Sequence, residues 1–182
     1  MNPLVPVLLL IGGAVIWSLT KTAKAAVKLN YDIIKFGIYK FASDGNMVLR
    51  VRVRFGNLTN TPLHINMINL SAYYNPTYTN TNGKVNITSR GSLLATLNNT
   101  NRFVIAANSI EEKDFFINIR WADVAMLFVS NIADIWSIIN NTSGITNIIQ
   151  KIVGKPVLIR GAIKAENIVF NVEQIVTLTD ER

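Results

Sequence analysis

Three rhythms of apolar and polar positions run along this chain of 182 residues, and each predicts a different kind of element. The first is an unbroken apolar run. Residues 3–20, PLVPVLLLIGGAVIWSLT, contain no charged side chain, and Lys21, Lys24 and Lys28 follow at once. At about 1.5 Å per residue, a helix over this run is about 27 Å long, close to the thickness of a thin hydrocarbon core. Backbone groups cannot stay unpaired in lipid, so a run that crosses a bilayer does so as a helix. Leu4, Leu8, Leu10, Ile11 and Val15 supply its apolar surface. Trp17 stands at headgroup level, and the stems of Lys21 and Lys24 reach outward to water. The expectation is a single membrane anchor with a basic stalk over residues 1–28 and a separate domain over 29–182. A cleaved secretory signal and a buried core helix are the competing readings. The first lacks a positive segment before Pro3, although Ala23-Lys24-Ala25 resembles a cleavage site. Lysines on the C-terminal side place the domain in the cytoplasm by the positive-inside rule.

The second rhythm has period two and begins the body of the chain. Over residues 47–55, Leu49, Val51, Val53 and Phe55 fall on one face and Arg50, Arg52 and Arg54 on the other. That alternation predicts a half-buried strand of an antiparallel sheet, with arginines about 7 Å apart. The arginine row is either a solvated face with acidic partners across the strand, or a contact stripe for anionic lipid or a partner protein. Nucleic acid is disfavoured, because no aromatic side chain interleaves with the arginines to stack on bases. Residues 29–41 predict an earlier strand with Gly37 as a bend, and 43–46 a turn. In residues 63–74 the apolar phase changes: Leu63, Ile65 and Met67 share one parity, Ile68, Leu70, Ala72 and Tyr74 the other. One extra residue near Met67 and Ile68, a β-bulge, would restore the facing. Residues 75–83 are Thr- and Asn-rich and predict a loop ending in a hairpin turn. Residues 85–97 predict a strand interrupted at Gly91, and 110–119 another carrying Phe115, Ile117 and Ile119. Residues 157–165 and 168–178 predict a hairpin around Glu166-Asn167.

The third rhythm is helical. Trp121, Val124, Phe128, Ile132, Ile135 and Ile139 recur every three or four residues, which predicts an amphipathic helix over 121–140. After a break, Ser143 is placed to cap a second helix bearing Ile145, Ile148, Ile149 and Ile152, stopped by Gly154 and Pro156. These apolar stripes read as core packing. Regular strands with one helical insertion at about 121–153 favour a β-sandwich over a parallel α/β sheet.

Several short motifs resemble the late embryogenesis abundant type 2 family, also described by the water-stress and hypersensitive-response (WHy) domain. A strand ends in Val53-Arg54-Phe55-Gly56-Asn57, a polar turn carries Asn60 and the pair Pro62-Leu63, and the next strand ends in Tyr73-Tyr74. Leu58 stands where the family's turn has its first proline. Ile105-Ala106-Ala107-Asn108-Ser109 follows a second family segment, with Ala106 in place of proline, and Gly161 sits at the opening of a late strand. The resemblance covers about residues 29–179. It implies an immunoglobulin-like antiparallel β-sandwich with an inserted helical segment, and a binding or protective role without catalysis.

Composition narrows the chemistry. The chain has no cysteine, so disulfides, thiolate metal sites and cysteine nucleophiles are excluded together. Charged residues are 16% of the chain and the formal net charge is +7, of which three charges flank the apolar run. His64 is the sole histidine and has no cysteine or carboxylate beside it in sequence, so no zinc site is expected. Glu111, Glu112 and Asp114 lack the glycine turn and alternating oxygen ligands of a calcium loop, and fit better as a solvated edge or as partners for the arginines. There is no nucleophile elbow and no phosphate-binding glycine loop. The expectation is a protein without enzymatic activity, cofactor or small-molecule substrate, whose partners are a lipid bilayer and other subunits of a larger assembly. A minor component tying the internal membrane of a virion to its protein shell fits that description. A cellular envelope or stress-protective protein and a lipid carrier are the alternatives.

Overall fold

The computed structural model describes residues 28–42, 46–82, 84–127 and 142–182. Within them the chain is mainly β. The elements in order are β1 (Leu29–Phe41), β2 (Asn46–Asn57), β3 (Leu63–Tyr74), β4 (Thr77–Thr81), β5 (Lys84–Ser89), β6 (Ser92–Asn99), β7 (Phe103–Ile105), β8 (Ser109–Arg120), α1 (Trp121–Ala125), α2 (Thr142–Ile152), β9 (Pro156–Ala165) and β10 (Ile168–Asp180). One curled sheet has the strand order β6-β3-β9-β10-β1-β2-β8, with β7 also paired to β3. The curl brings its two halves face to face: the ring of Phe103 on β7 lies 5.5 Å from Phe55 on β2 and 6.1 Å from Phe115 on β8. The apolar parity of β2 fills the space between them, with Leu49, Val51, Val53 and Phe55 all buried.

The ladders are antiparallel except at one place. β1 and β10 pair in parallel through Phe36↔Leu178, Gly37↔Thr179 and Ile38↔Asp180. The wholly antiparallel body expected from the alternation is corrected at this junction, because a period of two reports facing and carries no information about strand direction. Gly37 is likewise no bend. It is buried at the crossing, and a Cβ there would run into the side chain and carbonyl of Thr179. The glycine serves close approach of two backbones.

The change of phase in β3 is resolved by a bulge. Ile65 pairs with Ala165 and Met67 with Lys164, so Asn66 is the extra residue. Leu63 and Ile65 before it, and Ile68, Leu70 and Ala72 after it, are all buried. The expected loop over 75–83 is corrected: Thr77–Thr81 pairs with Lys84–Ser89 as a separate two-stranded hairpin. Every β4 side chain is exposed, so no alternation marks it in the sequence. The break at Gly91 stands, with φ of 78°.

Trp121, Val124 and Ala125 of α1 are buried, with Trp121 edge-on to Phe41 at 5.5 Å. Phe128, Ile132, Ile135 and Ile139 lie outside the described residues. α2 opens at Thr142, so Ser143 falls inside the helix rather than before it. Ile148, Ile149 and Ile152 are buried as its period requires. Gly154, at φ of 79°, ends that segment and donates its N–H to the carbonyl of Leu178 at 2.8 Å. The apolar run 3–20, with Leu4, Leu8, Leu10, Ile11, Val15 and Trp17, and the lysines Lys21 and Lys24, also lies outside the described residues. Among those described, no helix is long and apolar enough to cross a membrane.

Candidate interaction surface

The outer face of β1, β2 and β8 carries the arginine row, and register decides what each guanidinium meets. β2 and β8 pair so that Arg52 stands opposite Asp114, Arg54 opposite Glu112, and Arg50 opposite Phe116. Arg52 donates to both oxygens of Asp114, Nε at 2.6 Å and Nη2 at 2.8 Å, a fork-on-fork pair. Arg54 donates twice to one oxygen of Glu112, at 3.1 and 2.9 Å. Arg50 has Phe116 rather than an acid directly opposite and turns to Glu181, whose Oε2 accepts from Nε at 2.6 Å, while its Nη1 lies 3.7 Å from the Asp114 carboxylate. Glu181 is fixed there by its own N–H, which donates to Ile38 O at 2.9 Å just beyond the β1–β10 junction. Three guanidinium groups thus face three carboxylates. The hydrogen bond from Arg52 holds the Asp114 carboxyl below the usual carboxylate range, against a smaller opposing effect of burial.

The three pairs differ in how much water reaches them. Side-chain exposure is 16% and 7% for Arg50 and Glu181, but 50% and 40% for Arg54 and Glu112. Breaking a dry pair strands a charge, whereas a wet pair exchanges its partner for water. Arg50→Gln is therefore expected to cost about 2 kcal/mol and Arg54→Gln under about 0.5 kcal/mol, measured by urea unfolding at neutral pH. Arg52→Gln should fall between them and carry a pH signature. Because the folded Asp114 is more acidic than its unfolded form, its contribution is complete above the ordinary carboxylate range and disappears as pH falls through and below it. The difference between wild type and Arg52→Gln should shrink over the same interval.

Apolar side chains flank the ladder at both ends. Beside Arg50, the rings of Tyr39 and Phe116 lie 5.1 Å apart with the Arg50 guanidinium 5.3 Å from the Tyr39 ring centre. With Lys40, Val48 and Asn118 they line a depression of about 330 Å³. Beyond Arg54, Leu58 and Ile110 are 63% and 66% exposed. They share a smaller depression of about 170 Å³ with Asn30, Tyr31, Asp32 and Gly56.

The turns at that end are tied to one another by hydrogen bonds, most of them through one buried side chain. Asn57 is wholly buried. Its two amide protons are shared among the carbonyls of Thr61 at 2.9 Å, Ile105 at 3.3 Å and Ala106 at 3.0 Å. Its Oδ1 accepts from the N–H of Thr59 at 3.1 Å and from the Thr59 hydroxyl at 2.7 Å. The Asn108 N–H closes the contact on Thr59 O at 2.8 Å. Nearby, the two-residue turn between β9 and β10 brings Glu166, at φ of 51°, onto β3. Its carboxylate accepts from the His64 N–H at 2.8 Å and lies 2.7 Å from His64 Nδ1. No carboxylate stands beside His64 in sequence, and the one that meets it, Glu166, arrives from about a hundred residues away. Among the described residues no group of three or more histidine and carboxylate side chains is placed to hold a metal ion.

Of the residues singled out in the sequence, Arg50, Arg52 and Arg54 come together on one face and the acidic cluster supplies two of their partners. Glu181 and the Tyr39–Phe116 pair were not singled out, and Glu166 and Leu58 entered only as turn residues. Phe116 had a signal: adjacent Phe115 and Phe116 on a strand put one ring outside. The glutamates had none, because their contacts depend on which strands become neighbours.

No family model matches the sequence, and no curated protein matches it. Solved structures similar to it include a protein from Archaeoglobus fulgidus, at 13% identity and a TM-score of 0.40, covering 82% of this chain and 94% of that one. Another is Spo0M, a sporulation control protein from Bacillus subtilis, at 8% identity and 0.39, covering 84% of this chain and 49% of that one. A third is the putative ApaA protein from Bordetella pertussis, at 11% identity and 0.35, covering 85% and 95%.

Proposed function

We propose that this chain is a membrane-anchored interaction protein without enzymatic activity, in which residues 1–28 hold a β-rich domain against a bilayer. The observation that carries the reading is the uncharged run 3–20 followed directly by Lys21, Lys24 and Lys28, the last of them next to the start of β1 at Leu29. The ladder of Arg50, Arg52 and Arg54 is internally balanced, which favours specific protein contacts over attraction to a polyanion. Exposed Phe116 and Tyr39 beside it give such a contact an aromatic anchor.

The finer reading of the fold is an immunoglobulin-like sandwich of the type 2 late embryogenesis abundant kind. It is supported by the contact between the two segments that carry that resemblance, since Asn57 donates to Ile105 O and Ala106 O. As to setting, a domain facing the cytoplasm at its anchor becomes a domain facing the shell when the bilayer is taken inside a virus particle. A structural link between internal membrane and capsid is the role that such a part would play.

Flotation tests the anchor. The full chain made with phospholipid vesicles is expected to rise with them through a density gradient and to resist extraction at high pH. Deletion of residues 3–20 should leave the domain in the aqueous fraction. A full chain that stays in the aqueous fraction would refute the reading.

A further inference from the structure

The end of the domain from which β1 starts carries a group of exposed apolar side chains. Leu58, between β2 and β3, and Ile110, at the start of β8, are the two most exposed large apolar side chains among those described, at 63% and 66%. Both sit beside the entry of the chain. Leu29 pairs with Asn57, the neighbour of Leu58, and Asn30 pairs with Gly56, which pairs in turn with Ile110. With strands about 4.8 Å apart, the side chains at 58 and 110 lie about 10 Å from the first residues of β1. Val104, opposite His64 on β3, adds a further exposed apolar side chain at the same end.

We infer that this end of the domain, led by Leu58 and Ile110, rests in the headgroup region of the bilayer, so that the domain stands on the membrane through its turns as well as through its anchor. The inference depends on the anchor reading and adds to it an orientation and a contact. Lys28 lies seven positions after Lys21, a distance of about 25 Å if extended and about 10 Å if helical. Leu29 therefore stays within that distance of the surface where Lys21 ends the apolar run. A lipid surface suits the site chemically. Side chains that insert about 5–10 Å into the headgroup and acyl boundary are typically leucine, isoleucine and aromatic residues flanked by basic ones. Lys28 is exposed beside this end, and Tyr31 lines the depression that holds Leu58 and Ile110. Asn57 keeps the turn bearing Leu58 in one shape, because its amide and Thr59 are bound on both sides of that leucine. A rigid, exposed leucine in such a turn presents its side chain without further ordering on contact.

The absence of cysteine gives a clean test. Leu58→Cys and, as reference, Leu93→Cys are made in the full chain and labelled with an NBD fluorophore. Leu93 is 56% exposed on β6, where it pairs with Tyr73 at the far end of β3 from Leu63, so neither change disturbs the core. Each protein is reconstituted in phosphatidylcholine vesicles containing phosphatidylglycerol, with and without lipid spin-labelled at the headgroup. Blue-shifted emission and at least about threefold stronger quenching at 58 than at 93 is expected of a probe in the interface. If the protein floats with the vesicles but both probes behave as in water, the contact is refuted while the anchor stands. Equal quenching at both positions refutes the end-on orientation. Failure to float refutes the anchor, and the contact with it.

Discussion

Replacing Asn57 with alanine is expected to cost about 3 kcal/mol of folding stability, seen as a lower urea midpoint at unchanged slope. The side chain is wholly buried, its two amide protons are shared among three carbonyls, and its oxygen accepts from the Thr59 N–H and hydroxyl. A buried polar group left without its partner costs about 1–3 kcal/mol, and several are exposed to that loss here together. Asn57→Asp sharpens the point. It keeps the size and the acceptor for Thr59 but sets a carboxylate against three carbonyl oxygens, so its cost should equal or exceed that of alanine. Thr59→Val removes only the hydroxyl and should cost about 1 kcal/mol. If Asn57→Ala shifts stability by less than about 1 kcal/mol, the network contributes little and water replaces it.

Gly161→Val is the second large effect, expected at about 3 kcal/mol or more, because overpacking against backbone has no flexible side chain to relieve it. Gly161 lies in β9 opposite Leu70 of β3, with Val172 of β10 on its other side. A Cβ there would overlap the Asn69 carbonyl and approach the Leu70 Cα to 2.9 Å. β9 is a central strand, so any shift is passed to both neighbours. Thermal unfolding with near-UV dichroism measures the loss. Gly154→Ala is the contrast: its Cβ meets nothing within 4 Å, and only its positive φ of 79° opposes the change, a cost of about 1 kcal/mol.

Where one face of a strand is buried and the other wet, the sequence was readable. β2 follows its alternation residue by residue, and even the bulge at Asn66 is visible as a change of parity, because a misplaced side chain would have nowhere to go. Of the β4–β5 hairpin, the turn signal was readable but β4 itself was not, for the opposite reason. The side chains of β4 are exposed on both faces, and Thr and Asn in that setting look the same in a strand and in a loop. The arginine row shows a third case. That Arg52 and Arg54 would find acids was open to inference from Glu112 and Asp114. That Arg50 would find Glu181 was not, since it required the last strand to settle beside the first. His64 and Glu166 differ from it only in detail: a two-residue turn delivers the carboxylate, and no periodicity encodes its destination.

The placement of β1 bears on how the domain would carry load. A tether attached at Leu29 pulls along the axis of a strand held on both edges, by β2 over most of its length and by β10 near Gly37. Traction in that direction loads the rungs of each ladder sideways and simultaneously, whereas a strand peeled from a sheet margin yields one rung after another. The domain is thus built to resist extraction of its first strand, and a single-molecule pull from residue 29 should meet a higher rupture force than a pull that peels away the outermost strand β8.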